Sequence, residues 1–526
     1  MPFILRNISV SPAEGDETLL DWAAKHLGLP VMHINNLRIV RKAVDARRKG
    51  RVLLVYTVSF DAVDEQAVRG LLGRVAGLEW QTPKSAPIFR RVASGERILI
   101  VGSGPAGLFA ALRLAEYGIT ATVIERGQPV ERRSSDVSRF WRDGLLDLES
   151  NVQFGEGGAG TFSDGKLTNR SKDPLSPWVL QRFTEFGAPP EILYQAKPHI
   201  GTDRLRHVVA AMRNYLIDKG FEVRFGSRLT DISMFDGKVS AAIINDIEEL
   251  PCDRLVLATG HSARDTYQML EARGVALEAK PFAIGVRIEH PQGVIDNIQY
   301  GGARHPNLPP ADYALAWNNT ATGRSAYSFC MCPGGIVIAA ASEAGGVVTN
   351  GMSGQRRNSP FANSALVVNV RPEDFSGKGP LAGIEFQRYW EQQAFTAAGG
   401  GYLAPACNML DFMGMSARGR LSATYRPGIV ACALDEVLPD FVVRTLREGI
   451  TDFGRRLRGF LTAEATLIGI ESRTSAPLRI LRDAAFESLS VRCLYPAGEG
   501  AGYAGGIMSS AVDGVKIADR IAAEMQ

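Results

Sequence analysis

Gly102-Ser103-Gly104-Pro105-Ala106-Gly107 stands directly after a short apolar run, residues 97–101, and opens a stretch of helical spacing, residues 105–117. That order decides the fold. In a strand, turn and helix of this kind the first glycine permits a tight turn, the second lets a diphosphate approach the backbone, and the third lets helix and strand pack closely. The helix N-terminus adds N–H groups and partial positive charge. Residues 120–124 read as the next strand, and Glu125 ends it at the spacing at which a carboxylate meets the ribose hydroxyls of an adenosine. The alternation of strand and helix predicts a sheet with parallel strands.

Outward from this motif the pattern changes twice. Residues 1–90 form a small unit of their own: a strand at 3–10, a helix at 17–27, two alternating runs at 38–46 and 52–60 joined by Arg47-Arg48-Lys49-Gly50, and a second helix at 64–75. The polar, proline-bearing residues 81–87 read as a linker. From Pro281 the chain becomes rich in short runs separated by Gly, Pro and Asn, a strand-rich insertion placed at 281–465. Residues 466–526 return to strand, glycine loop and helix, so the C-terminus completes the domain that begins at 91 and runs to 280.

A chain of 526 residues with 45% apolar and 22% charged residues is globular and too long for one core. The formal charge of +3 implies no dominant nucleic-acid or membrane field. No apolar run approaches the roughly 18 to 20 residues of a membrane helix, and the first residues lack the pattern of a signal peptide. Six cysteines without a CxxC pair argue against a disulfide scaffold and a zinc site, so a cytoplasmic protein is expected.

The run Arg97-Ile-Leu-Ile-Val-Gly-Ser-Gly-Pro-Ala-Gly-Leu108, with Val123-Ile-Glu-Arg-Gly127, resembles the FAD-binding start of the glutathione-reductase-type flavoproteins. In that superfamily the ribose acid is typically Glu followed by Arg, as in Glu125-Arg126, so the resemblance implies FAD. Arg254-Leu-Val-Leu-Ala-Thr-Gly260 is similar to the superfamily's strand ending in Ala-Thr-Gly, which places Thr259 and Gly260 at the cofactor. Leu494-Tyr-Pro-Ala-Gly-Glu-Gly-Ala-Gly-Tyr-Ala-Gly-Gly-Ile507 resembles the closing FAD motif. There Gly498 and Glu499 stand where the family usually has Gly-Asp, and Gly506 and Ile507 open the last helix. The whole pattern is similar to bacterial FAD-dependent dehydrogenases or oxidoreductases of unassigned substrate. It implies an α/β fold: a split Rossmann-like FAD-binding domain, an inserted strand-rich substrate domain and a small N-terminal α+β domain.

Phe154-Gly-Glu-Gly-Gly-Ala-Gly-Thr-Phe-Ser-Asp-Gly-Lys-Leu167 is dense in glycine, which lets backbone approach a flat ring. Gly157 and Gly158 are expected at the cofactor. A lysine near the flavin stabilises its anionic reduced form, so Lys166 is the expected charge near the ring and Glu156 a polar contact or proton relay. No second strand-borne GxGxxG follows, so NAD(P)H is expected at most as a transient electron donor. Cys330-Met-Cys332 reads as a structural pair or as thiols that exchange electrons with the flavin. His199, His261, His290 and His305 read as structural or surface residues, and Arg287, Arg324, Arg473 and Arg479 as ion-paired or solvated.

The expected activity is hydride transfer between flavin N5 and a small-molecule substrate. Two alternatives stay open: a flavin monooxygenase acting on an aromatic substrate, and a flavin-dependent RNA-modifying or RNA-binding protein using the basic residues 38–51. The sequence does not fix the oligomeric state.

Overall fold

The computed structural model describes residues 3–82, 89–92, 95–168, 173–416 and 421–526. Most of the expected linker, residues 83–87, lies outside the described residues. The N-terminal unit is a four-stranded antiparallel sheet in the order Ile34–Asp45, Leu53–Ala62, Phe3–Val10, Leu78–Trp80. The helix Leu19–Leu27 packs Leu19, Ala23, Ala24 and Leu27 into the same core. The second helix is shorter than its spacing predicts. It covers only Glu65–Arg69, capped by Asp64 accepting from Ala67 N, because Gly70 and Gly73 follow and Gly73 takes a φ of 76°. The chain then turns into the strand Leu78–Trp80, which sequence reasoning missed. The long hairpin docks through its main chain: Lys42 N donates to Tyr194 O (2.8 Å), Ala196 N donates to Lys42 O (2.9 Å), and Gly50 N donates to Tyr300 O (2.9 Å).

The Rossmann-like half holds a parallel five-stranded sheet in the order Leu494–Pro496, Arg254–Leu257, Ile98–Val101, Thr122–Ile124, Glu222–Arg224. A C-terminal strand therefore lies beside one that follows residue 250, as the split-domain reading requires. The helices Pro105–Glu116 and Ile507–Glu524 cross on one face so closely that a Cβ at Gly514 would sit 2.0 Å from Ala106 O. A three-stranded antiparallel sheet, residues 229–251, covers the other face through Leu229, Ile232 and Val239.

The insertion is built on a seven-stranded sheet in the order Ala316–Asn319, Arg324–Cys332, Phe361–Val370, Phe282–Pro291, Thr466–Glu471, Ala404–Asn408, Ile429–Ala431. The strand Thr466–Glu471 is fully buried and pairs with residues 285–289, so the boundary expected at 465 moves beyond Glu471. Two short paired strands, Leu277–Ala279 and Leu478–Ile480, carry the chain between the halves. The amphipathic helix Asp440–Arg456 covers one face of the large sheet with Val442, Leu446, Ile450 and Phe453. The other face looks toward the Rossmann-like half. Among the described residues no helix is long and apolar enough to cross a membrane.

Candidate active site

The glycine loops converge on one cleft between the two halves, with a cavity of about 1570 Å³. Its walls include Gly102 and Gly104, Gly158, Thr259 and Gly260, and the segment from Gly502 to Ser510. The first loop follows the three glycine roles. Gly102 has φ 103° and a Cβ there would meet Ala258 O at 2.3 Å; a Cβ at Gly107 would meet Gly102 O at 1.9 Å. A Cβ at Gly104 would find only Gly158 Cα, at 3.7 Å, and at Gly260, Gly505 or Gly506 nothing within 4 Å. These backbones are bare toward open space. Two helix N-termini, at Gly104-Pro105 and Gly506-Ile507, end at the same cavity. Residues that leave room for a diphosphate and present helix N-termini to it fit FAD.

Glu125 is the clasp of this arrangement. One carboxylate oxygen accepts from Ser103 N and Ser103 Oγ (both 2.9 Å), the other from Gly127 N (3.0 Å) and Gly155 N (2.9 Å). It thus ties the first loop, the second strand and the glycine-rich loop together while still lining the cavity. Arg126 lies over the Phe154 ring at 4.0 Å and is fixed by Glu149 (2.7 Å) and Asp265 (2.9 Å).

The glycine-rich loop is held by a residue that sequence reasoning missed. Arg133, fully buried on the helix Val130–Asp143, donates to five main-chain carbonyls: Asn151 (2.8 Å), Val152 (2.9 Å), Gly155 (3.1 Å), Glu156 (2.6 Å) and Gly158 (3.0 Å). Burial lowers its pKa to about 10, with Glu125 and Glu156 pulling the other way. A Cβ on Gly155 would strike Arg133 Cδ at 2.4 Å, so the glycine at that position and the arginine require one another.

Within that loop the expected residues separate. Glu156 does not line the cleft. It is 1% exposed, and its carboxylate turns away to accept from Val130 N (2.8 Å) and Arg213 Nη1 (2.8 Å). The role of polar contact or proton relay at the cleft therefore falls away. Burial raises its pKa, against the pull of those two donors. Gly157 also points away from the cleft: a Cβ would lie 2.1 Å from Thr161 Oγ1, while its N–H donates to Ser103 O (2.9 Å).

Lys166 does line the cleft. Its ammonium donates to Met331 O, lies 3.3 Å from Asp164 and 3.8 Å from Cys332 Sγ, and so bridges the two halves. Burial pulls its pKa down, but Cys332 and Asp164 overcome this and raise it, so the charge is kept. Asp164 is 3% exposed and also accepts from Ser353 Oγ and from Arg357 (2.5 and 2.9 Å). Burial opposes its ionisation, yet the two cations hold it well below the usual carboxylate range.

Cys330 stands at a bulge of its strand with φ 44°, facing the cleft, while Cys332 is buried and its thiol donates to Cys330 O at 3.3 Å. Burial pushes the Cys332 thiol up despite Lys166. Glu499, in the closing loop, lines the cavity, and its carboxyl has no hydrogen-bond partner among the described residues; burial pushes that carboxyl up to about 7, with Lys280 pulling the other way.

The arginines and histidines are mostly framework. Arg287 is buried against Glu471 (2.8 and 3.0 Å), and Arg324 pairs with Asp374. Arg473 lines the cavity but is bound to Glu391 (3.0 and 3.1 Å), which also accepts from Arg264 (2.8 and 3.0 Å) and Ser472 Oγ (2.6 Å). His261 also lines the cavity and bonds Arg473 O at 3.0 Å; burial, reinforced by Arg473, lowers its pKa to about 4, so it is neutral near pH 7. Among the described residues no group of three or more His, Cys, Asp or Glu is placed to hold a metal ion.

Residues 97–191 match the FAD dependent oxidoreductase family, residues 281–474 the family described as FAD-dependent protein, C-terminal domain-like, and residues 3–61 a domain of unknown function, DUF8436. Over 529 residues the chain is 46% identical to an uncharacterized protein of Clostridium beijerinckii, covering 99% of this chain and 98% of that one. Solved structures with a remote likeness include glycine oxidase of Bacillus cereus, at 11% identity and TM-score 0.31 over 82% of this chain and 96% of that one. Another is the glycerol-3-phosphate dehydrogenase of Bacillus halodurans complexed with FAD, at 12% identity and TM-score 0.35 over 82% and 64%. Likeness at that level carries no weight for the reaction.

Proposed function

We propose, for a chain that belongs to the FAD-dependent oxidoreductases and to one family with the Clostridium beijerinckii protein, that hydride passes between flavin N5 and a small molecule held in the cleft. The observation that carries this reading is the continuity of the cavity, from the bare backbone of Gly104 to the sheet residues Tyr327 and Phe329. When bound, FAD supplies the two-electron chemistry. The chain supplies binding, orientation and charge.

The helix N-termini at Gly104 and Gly506 receive the diphosphate, and Glu125 fixes the loops around the adenosine end. Lys166 keeps its proton beside Asp164 and presents a positive charge to the cleft, where it would favour the anionic reduced form of the flavin. The seven-stranded sheet forms the opposite wall. NAD(P)H is the proposed transient donor.

The test is anaerobic reduction of the FAD-loaded protein with NADH and then NADPH, followed by a screen of organic oxidants. Reoxidation by an organic acceptor without oxygen supports the reading. A reduced protein that reacts only with oxygen and yields a hydroxylated product replaces it with a monooxygenase, and a protein that refuses FAD removes both.

A further inference from the structure

The cleft-facing side of the large sheet has a chemical character of its own. Strand registers place its residues in rows. Asn318 lies opposite Ser325, whose N–H donates to Asn369 Oδ1 at 2.7 Å, and Asn369 lies opposite Ala283. One step along, Ala316, Tyr327, Val367 and Gly285 stand side by side. In the next row Phe329 faces Ala365, and Ala365 faces Arg287. Residues two apart on a strand share a face, so all three rows look the same way.

Their sizes make a slot. Ala283 lines the cavity beside Phe282, Tyr327 and Phe329; the two partly exposed aromatic residues Tyr327 and Phe329 pack over Ala365 and Val367, which are fully buried beneath them. Gly285 adds no side chain; a Cβ there would strike Leu366 O at 2.0 Å. Arg287 lies fully buried behind this row, its charge cancelled by Glu471, and donates to the carbonyl of the cavity-lining Cys330 (2.9 Å). Along the opposite side runs an amide and hydroxyl edge, Asn318, Ser325 and Asn369.

Charge decides the class of ligand. None of the cavity-lining residues on the four strands that form this face is charged. Of the nearby cations, Lys166 is paired with Asp164 and Arg473 with Glu391, and Lys280 donates to Ala476 O (3.3 Å). On these four strands an anionic ligand loses its hydration and meets no lining cation in return. A flat neutral ring instead gains the aromatic neighbours Tyr327 and Phe329, the apolar surface of Phe282 and Ala283, and an edge of hydrogen-bonding groups.

Resting on the oxidoreductase reading of this cleft, we infer that the slot on the sheet face binds an uncharged aromatic ring bearing a hydroxyl, carbonyl or amide. Two sources share that chemistry, a free small-molecule substrate and the nicotinamide of a reduced dinucleotide.

The test is titration of the FAD-loaded protein with naphthol and with naphthoate, read from the flavin absorption band. Naphthol should bind at least about tenfold more tightly than naphthoate, and Phe329→Ala should weaken naphthol by about tenfold while FAD affinity stays unchanged. Ala316 is exposed on an edge strand, so Ala316→Lys tolerates folding and should turn the preference toward naphthoate. Displacement of naphthol by tetrahydro-NAD, a reduced-dinucleotide analogue with no transferable hydride, assigns the slot to the nicotinamide; no displacement assigns it to a free substrate. Equal affinity for naphthol and naphthoate, or unaltered naphthol binding in both variants, overturns the inference even where FAD binds normally. Failure to bind FAD instead removes the oxidoreductase reading.

Discussion

Replacing Arg133 tests whether a single guanidinium builds the wall of the cofactor cleft. The five carbonyls it serves belong to residues 151–158, the stretch that also meets Glu125 through Gly155 N and the first glycine loop through Gly157 N. In Arg133→Met those carbonyls lose their donor in a site with no exposure. Each orphaned buried acceptor costs about 1 to 3 kcal/mol, offset in part by water entering and by the lost need to desolvate a cation. Over five acceptors, with that offset, the net is about 3 to 5 kcal/mol. At 1.4 kcal/mol per decade, that is on the order of a hundredfold to several thousandfold in FAD affinity if loop order and binding are fully coupled. Arg133→Lys keeps the charge but offers three donors without the planar fork, so its loss should be smaller. The assay is quenching of flavin fluorescence on adding FAD to the apoprotein, with the melting temperature of the apoprotein in parallel. Arg133→Met with FAD affinity within about threefold of the parent and an unchanged melting temperature would refute the reasoning, because no coupling of that size would then exist.

The remaining expectations concern charge. Glu499 is neutral below its raised pKa of about 7 and ionised above it. The closing-motif resemblance implies a diphosphate nearby, which the ionised form would repel, so FAD affinity should fall between pH 6 and pH 8 (about one unit either side of that value), and Glu499→Gln should flatten the profile in the same titration. Glu391 accepts from Arg264, Arg473 and Ser472, and its pKa is held far below the ordinary carboxylate range despite burial. Its stabilisation is present at neutral pH and disappears only as acid protonates it. Glu391→Ala, leaving two buried guanidinium groups short of a partner, should lower stability by about 3 to 5 kcal/mol in a urea melt. Lys166→Met removes the cation that faces the cleft and should make the flavin midpoint potential more negative by on the order of 30 mV, read by anaerobic dye equilibration; an unchanged potential dismisses that role.

What was legible in the sequence was whatever local geometry demands. Gly102 and Gly107 are glycines because their neighbours' carbonyl oxygens occupy the space of a Cβ, and such constraints leave a mark at fixed spacing. The second helix and the strand Leu78–Trp80 were misread because helical spacing at 64–75 ignores the turns at Gly70 and Gly73. Glu156 was misplaced for a different reason: in a loop dense in glycine, successive residues have no fixed face, so spacing cannot say which side chain meets the cleft. Its neighbours Gly155 and Gly158 line the cavity while Glu156 and Gly157 turn inward, and only the Arg133 contacts decide that.

Arg133 itself left no local mark, because an amphipathic helix with several arginines looks the same whether one of them faces water or main-chain carbonyls. The one available signal is indirect. Residues 150–158 form an irregular buried segment whose carbonyls need donors, and no adjacent strand supplies them. A long donor-only side chain on a neighbouring helix is the economical solution, and Arg, with five N–H groups, can satisfy five carbonyls from one position. The search for the builder of a glycine loop is then a search among nearby helices for a buried arginine with no carboxylate bound to it.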